Sequence, residues 1–164
     1  MKKKLSILNI MLLMVLAVAA QGKAKYVFYF IGDGMGVNQV NAAETYLAAL
    51  QGRIGIEPLC FPSFPHSAFV TTHSATNGVT DSAAGGTALA CGHKTKNGAL
   101  GVLKDQVTPI SSIADWARDA GAAVGIASSV AVDHATPAAF YAHVKERHEQ
   151  YTIGKQLTES DNDF

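Results

Sequence analysis

The apolar positions of the chain fall into short runs whose period changes along its length. Residues 26–31, YVFYFI, form an unbroken aromatic and β-branched run, the pattern of a strand buried on both faces. The run stops at GDGMG, and Val40, Ala43, Leu47 and Leu50 then recur at spacings of three and four, the period of a helix with one apolar face. Residues 67–72, SAFVTT, predict a second, weaker strand. They lead to GVTDSAAGGTALACG, Gly78 to Gly92, which opens a helix built of small residues. Asn97-Gly98 is a turn signal. Ile113, Trp116, Ala117 and Ala120 share the face of another helix, which Gly121 ends. Residues 122–130 predict a third strand. After the loop VDHATP, residues 137–150 predict a helix with Thr136 as N-cap and Pro137 at its first position.

Strands alternating with helices predict an α/β domain around a largely parallel sheet. Ligands in such sheets bind beyond the carboxyl ends of the strands. Asp33, Ser82 and Thr136 each follow a predicted strand and precede a predicted helix, so the three loops are expected to gather at one edge of the sheet.

Composition adds a compartment and removes some partners. The 164 residues suffice for one domain, and no internal repeat is visible. Residues 1–20 combine a basic MKKK start with an apolar stretch that ends in Ala17-Val18-Ala19, the pattern of a secretory signal peptide. A retained anchor is the other reading of that segment. Cleavage would leave residues 21–164 with no membrane span and a periplasmic or extracellular location. It removes three lysines and no acids from a chain with 13 basic and 13 acidic residues, leaving a net charge of −3. No basic footprint for nucleic acid is present. Export permits a disulfide, and Cys60 and Cys91 are read equally well as a bridge or as buried thiols. The absence of C-x-x-C argues against a cysteine zinc site.

Three loops carry candidate chemistry. Ser82 sits beside Asp81 and is followed by Ala83, Ala84, Gly85 and Gly86, where small side chains admit a ligand close to the backbone. A hydroxyl at a helix N-terminus meets unpaired N–H groups and the positive end of the dipole. The plainer reading is that Asp81 or Ser82 caps the helix, although two glycines, each costing a helix about 1 kcal/mol relative to alanine, are more than a cap requires. Asp33, between two glycines, suits a cation, or is a solvated turn acid. GDGMGV lacks the dinucleotide-binding fingerprint, since Val37 stands where its third glycine is required. Thr136 is a helix cap or a ligand to a hard cation, with Asp133 and His134 beside it. Arg147 lies eleven residues beyond Thr136, where it is a solvated helix cation or a bidentate partner for phosphate.

Together the stretches FYFIGDGMG, GVTDSAAGGTALACG and DHATPAAFYAHVKER resemble, in order, the first metal-binding loop, the phosphorylated-serine signature and the third characteristic stretch of bacterial alkaline phosphatases. The resemblance covers most of the chain from Tyr26 to Arg147. It implies a three-layer α/β sandwich of which residues 21–164 are the amino-terminal part, and hydrolysis of phosphate monoesters assisted by two zinc ions and one magnesium. Ser82 would be the nucleophile and a zinc ligand. Asp33 would bridge zinc and magnesium, and Thr136 would ligate the magnesium. Arg147 would hold the phosphate, and Asp81 would orient Arg147. His134 stands where some members carry an acid, so it would belong to the third metal position. The resemblance also implies a homodimer of the complete enzyme. The family's remaining zinc ligands and a magnesium-binding Glu come from later segments, and His66, His73, His93, His143 and His148 lie in the wrong stretches to replace them. An inactive fragment, or a related hydrolase of sulfate esters or phosphodiesters, is the alternative. The C/S-x-P-x-R setting of a sulfatase is absent from DSAAGGT.

Overall fold

The computed structural model describes residues 24–163. The stretch 1–20, expected to be a signal peptide, lies outside them. The chain divides into two units, residues 1–32 and 33–164. In the described part of the first, residues 26–31 form no strand. The rings of Phe28 and Phe30 stack with centroids 6.4 Å apart, and the Lys25 ammonium lies 5.3 Å from the centre of the Tyr26 ring.

The second unit is helical. Helix α1 spans Val37–Leu50. Its first turn has no side-chain cap, and the Gln39 amide oxygen instead accepts from the Gly36 N–H at 3.0 Å. Residues beyond α1 fold back on it: Glu44 accepts from the Glu57 N–H through its carbonyl and from the Leu59 N–H through its carboxylate, at 2.9 and 3.0 Å. A short 3₁₀ turn covers Phe61–Ser63. Helix α2, Ser82–Cys91, is capped by Asp81 and ends at Gly92, whose φ of 72° is open to glycine at little cost. Helices α3, Ile113–Asp119, α4, Ala135–Ala138, and α5, Gln150–Glu159, follow.

The core forms where α2 meets α4 and the segment after it. Ala83, Ala90, Cys91, Ala135, Ala138 and Ala139 are buried there with Leu100, Val144 and Ile153. Small residues set the approach. A Cβ on Gly86 would lie 3.1 Å from the Cβ of Ala139 and 3.5 Å from the Cα of Thr136. The small-residue run therefore brings α4 against α2. Leu100 and Ile153 are the largest fully buried apolar side chains in this core, and each contributes about 1.5–3 kcal/mol by leaving water.

The predicted strands at 67–72 and 122–130 also lack ladders. Among the described residues β-pairing is confined to two isolated antiparallel bridges, Leu100 with Val144 and Val102 with Pro109. Within residues 122–130, Val124 exchanges bonds with Asp163. β-Branched and aromatic side chains favour extended backbone, but a strand becomes one only by pairing with neighbours.

The helix predicted over 137–150 is replaced by three pieces. The α4 segment stops at Ala138; the Ser112 hydroxyl then donates to the Phe140 carbonyl at 2.8 Å, and Val144 exchanges two backbone bonds with Leu100 at 2.9 and 3.0 Å. Those partners capture backbone groups that a continuous helix would have used. Helix α3 keeps its predicted place, with a Ser112–Asp115 capping box, but turns Ala114 inward and leaves Trp116 59 % exposed. Cys60 is exposed and Cys91 buried, and both are free thiols. Burial, with help from Asp115, pushes the Cys91 thiol up to about 11.

Candidate active site

The N-terminus of α2 is built around one carboxylate. Asp81 Oδ1 accepts from the Ala84 N–H at 2.9 Å, which caps the helix. Its other oxygen, Oδ2, accepts from the Gly98 N–H at 3.0 Å and from Arg147 Nη1 at 3.2 Å. Burial raises the Asp81 carboxyl, but the bonds from Ala84, Gly98 and Arg147 outweigh it, so the group titrates below the ordinary carboxylate range. About three-quarters of both the Asp81 and Arg147 side chains is covered, enough to weaken solvent screening of the pair. Ser82, the first residue of α2, is partly buried. Its hydroxyl has no hydrogen-bond partner among the described residues, so it is available to something else.

Asp33 and Thr136 meet from 103 positions apart: Thr136 Oγ1 donates to Asp33 Oδ2 at 2.7 Å. Thr136 was expected to cap its helix. His134 is the N-cap instead, Thr136 the second helical residue and Pro137 the third. Proline is tolerated there because first-turn N–H groups have no helical partner. The shift leaves the Thr136 hydroxyl for Asp33. His134 is exposed and its ring makes no hydrogen bond among the described residues. The loop before α4 is tied by Tyr141, whose hydroxyl donates to the Val132 carbonyl at 2.6 Å. Burial, followed by the charge of Asp133, pushes that phenol up to about 12.

The six candidate residues thus form two pairs and two single side chains. Asp81 binds Arg147, and Asp33 binds Thr136. Among the described residues Ser82 and His134 make no side-chain hydrogen bond with either pair. The pairs sit on adjoining elements, because α2 and α4 pack through Gly86 beside Thr136. Arg147 arrives by a different path from the one expected, on a turn after the Val144 bridge rather than three turns along a helix. The Gly98 amide was not read as part of the site. Its signal was the Asn97-Gly98 turn, whose link to Asp81 lies in three dimensions.

A hard cation suits the oxygens of Asp33 and Thr136. Zinc is less well provided for. No cluster of three His, Cys, Asp or Glu side chains that could hold a metal occurs among the described residues, whereas zinc ordinarily takes four ligands.

Comparison with known proteins identifies the family of the chain. The family model for alkaline phosphatase matches residues 24–163. The tissue-nonspecific alkaline phosphatase of Gallus gallus is 41 % identical over 137 residues, covering 77 % of this chain and 26 % of that protein. The alkaline phosphatase of Gadus morhua is 39 % identical, with 77 % and 29 % covered. The chain therefore spans little more than a quarter of these relatives. Among solved structures, the cold-active alkaline phosphatase of a psychrophilic Shewanella superposes with a TM-score of 0.73 at 36 % identity, over 81 % of this chain and 33 % of that one. A His-to-Asp variant of the TAB5 alkaline phosphatase, with Mg bound in its M3 site, gives 0.61 at 39 % identity, over 63 % and 30 %. With a match across all but the first 23 residues and the last, and a shared fold at more than a third identity, this chain belongs to the alkaline phosphatase family.

Proposed function

We propose that residues 21–164 are the amino-terminal part of the catalytic domain of an exported phosphate monoester hydrolase, a three-layer α/β sandwich around a largely parallel sheet. The observation that carries the reading is the Asp81–Arg147 bond at the start of α2, next to the unpartnered Ser82 hydroxyl. An anion placed there would face a guanidinium, the positive end of a ten-residue helix and a nucleophile.

In the proposed reaction the Ser82 oxygen attacks phosphorus and loses its proton. The phosphorus–oxygen bond to the substrate alcohol breaks, and the alcohol leaves as the leaving oxygen takes up a proton. Water then attacks the phosphoserine, releasing inorganic phosphate and restoring the hydroxyl. Arg147 donates to the phosphate oxygens throughout, and Asp81 fixes its direction. Asp33 and Thr136 would hold magnesium, and Asp33 and Ser82 would each give one oxygen to zinc. Bound zinc would activate the hydroxyl and neutralise the leaving oxygen. His134 would contribute to the third metal position; a His-to-Asp variant of the TAB5 enzyme holds Mg in its M3 site. The segment at 1–20 would direct export to the periplasm or beyond, and the complete enzyme would be a homodimer.

The test is covalent trapping. A polypeptide that completes the domain, incubated with labelled phosphate at acid pH, should carry label on Ser82, and Ser82→Ala should abolish it. Label on any other residue of the wild type overturns the assignment.

A further inference from the structure

The Asp81–Arg147 contact is a single hydrogen bond from Nη1 to Oδ2, so the guanidinium is held only as firmly as Oδ2 is. The Ala84 N–H holds only Oδ1, and the Gly98 N–H holds Oδ2 itself. Gly98 is buried with φ +90°, a conformation that presents its amide to Asp81 and that side-chain-bearing L-residues rarely adopt. The turn is anchored on both sides. Asn97 Nδ2 donates to the Val79 carbonyl at 3.0 Å, just upstream of Asp81, and Lys96 pairs with Glu146 at 3.5 Å, next to Arg147. The Leu100–Val144 bridge then ties the segment after the turn to the segment that delivers Arg147.

We propose that the Asn97–Gly98 turn is a positioning element: its Gly98 amide locks the Asp81 carboxylate, and through it aims Arg147 at the phosphate. The proposal rests on the reading of Arg147 as the phosphate-holding cation. The turn joins carboxylate and guanidinium into one preorganised unit, so that an arriving anion does not have to order the arginine. Gly98 acts through Asp81 and touches no reacting atom.

NMR of the isotope-labelled full chain tests this without any turnover. A coupling across the hydrogen bond from the Gly98 amide nitrogen to the Asp81 carboxyl carbon is expected in the wild type. Rotation of the Arg147 guanidinium should be slow there and about tenfold faster in Gly98→Ala, the scale of one charge-assisted hydrogen bond. In Gly98→Ala the new methyl also meets Glu146 Oε2 at 2.8 Å. Gly98→Ala combined with Glu146→Ala removes that clash, and fast rotation should persist because the backbone dihedral is the cause. A D-alanine at this position, introduced by ligation, accepts positive φ and should restore slow rotation. A folded Gly98→Ala chain with wild-type Arg147 rotation overturns the proposal, as does absence of the coupling in the wild type, a result that needs no variant to fold. These readouts do not depend on Ser82. A chain that passes them but forms no phosphoserine counts against the hydrolase reading and leaves the turn's action on Arg147 standing.

Discussion

At the residue scale the site depends on a few charge-assisted bonds, and these set the expected size of substitutions. Arg147→Ala would remove the proposed charged donor to phosphate and leave Asp81 with its two amide bonds. A loss of roughly 10–100-fold in kcat/KM of the completed enzyme is expected, because such a bond contributes about 1.5–3 kcal/mol. Inhibition by inorganic phosphate should weaken in parallel; unchanged inhibition would place Arg147 away from the phosphate. A second carboxylate makes a prediction in pH. Burial raises the Asp115 carboxyl, but bonds from the Ser112 backbone, the Arg118 guanidinium and the Ser112 hydroxyl outweigh it, so it lies below its ordinary 3.8. A carboxyl lowered by folding stabilises the fold above its unfolded value and loses that contribution as pH falls through its folded value. Unfolding free energy from denaturant titrations should therefore drop between pH 5 and the acid side of 3.8, and drop less in Asp115→Asn. Equal pH dependence in the two proteins would remove Asp115 from the balance.

At the scale of elements, the small-residue helix did two jobs that its sequence did not separate. Gly86 sits where a Cβ would press on Ala139 and the Thr136 backbone, whereas a Cβ on Gly85 would meet only the Thr80 side chain, at 3.5 Å. Gly86→Val should push α4 from α2 and cost about 1–3 kcal/mol by overpacking, with the Thr136–Asp33 bond displaced as well. Gly85→Ala, in ordinary contact, should gain helix propensity and leave stability unchanged or raised. Equilibrium unfolding of the two variants decides between packing and chemistry as the reason for each glycine. The helices at α1, α2 and α3 were legible because 3.6-residue periodicity and caps are local. The helix over 137–150 was misread because its break comes from Ser112 and Leu100, partners about 30–45 positions upstream. The position of Arg147 was lost with it, although its partner Asp81 had been named from the family motif.

For the whole molecule, the strands were the least legible part. Residues 67–72 have strand propensity, yet Phe69 and Val70 are exposed, at 104 % and 77 %. Ile54, Trp116 and Tyr151 are exposed too. Propensity is written in a segment, but pairing needs other segments, and this chain spans little more than a quarter of its relatives. The same sparseness limits chemistry. The proposed ligands Asp33, Ser82 and Thr136 are only three side chains, all oxygen donors, whereas a zinc site ordinarily takes four ligands, nitrogen often among them. Residues 21–164 expressed alone with zinc and magnesium should show no significant turnover of a chromogenic phosphate ester. Tight binding of two zinc ions per chain, with turnover abolished in Ser82→Ala, would be the contrary result.

The Thr136–Asp33 hydrogen bond also carries a kinetic consequence. It closes a loop of 103 positions, far longer than the four-residue spacing of helix bonds. The entropy of closing a loop grows with the logarithm of its length, so this contact is affordable only after α2 and α4 have already docked. Weakening it should speed unfolding and leave the folding rate almost unchanged, the behaviour of a contact absent from the transition state. The Asp33 and Thr136 oxygens are therefore assembled last and released first, so a cation held by them as proposed would be a latch on the finished fold rather than a nucleus for it.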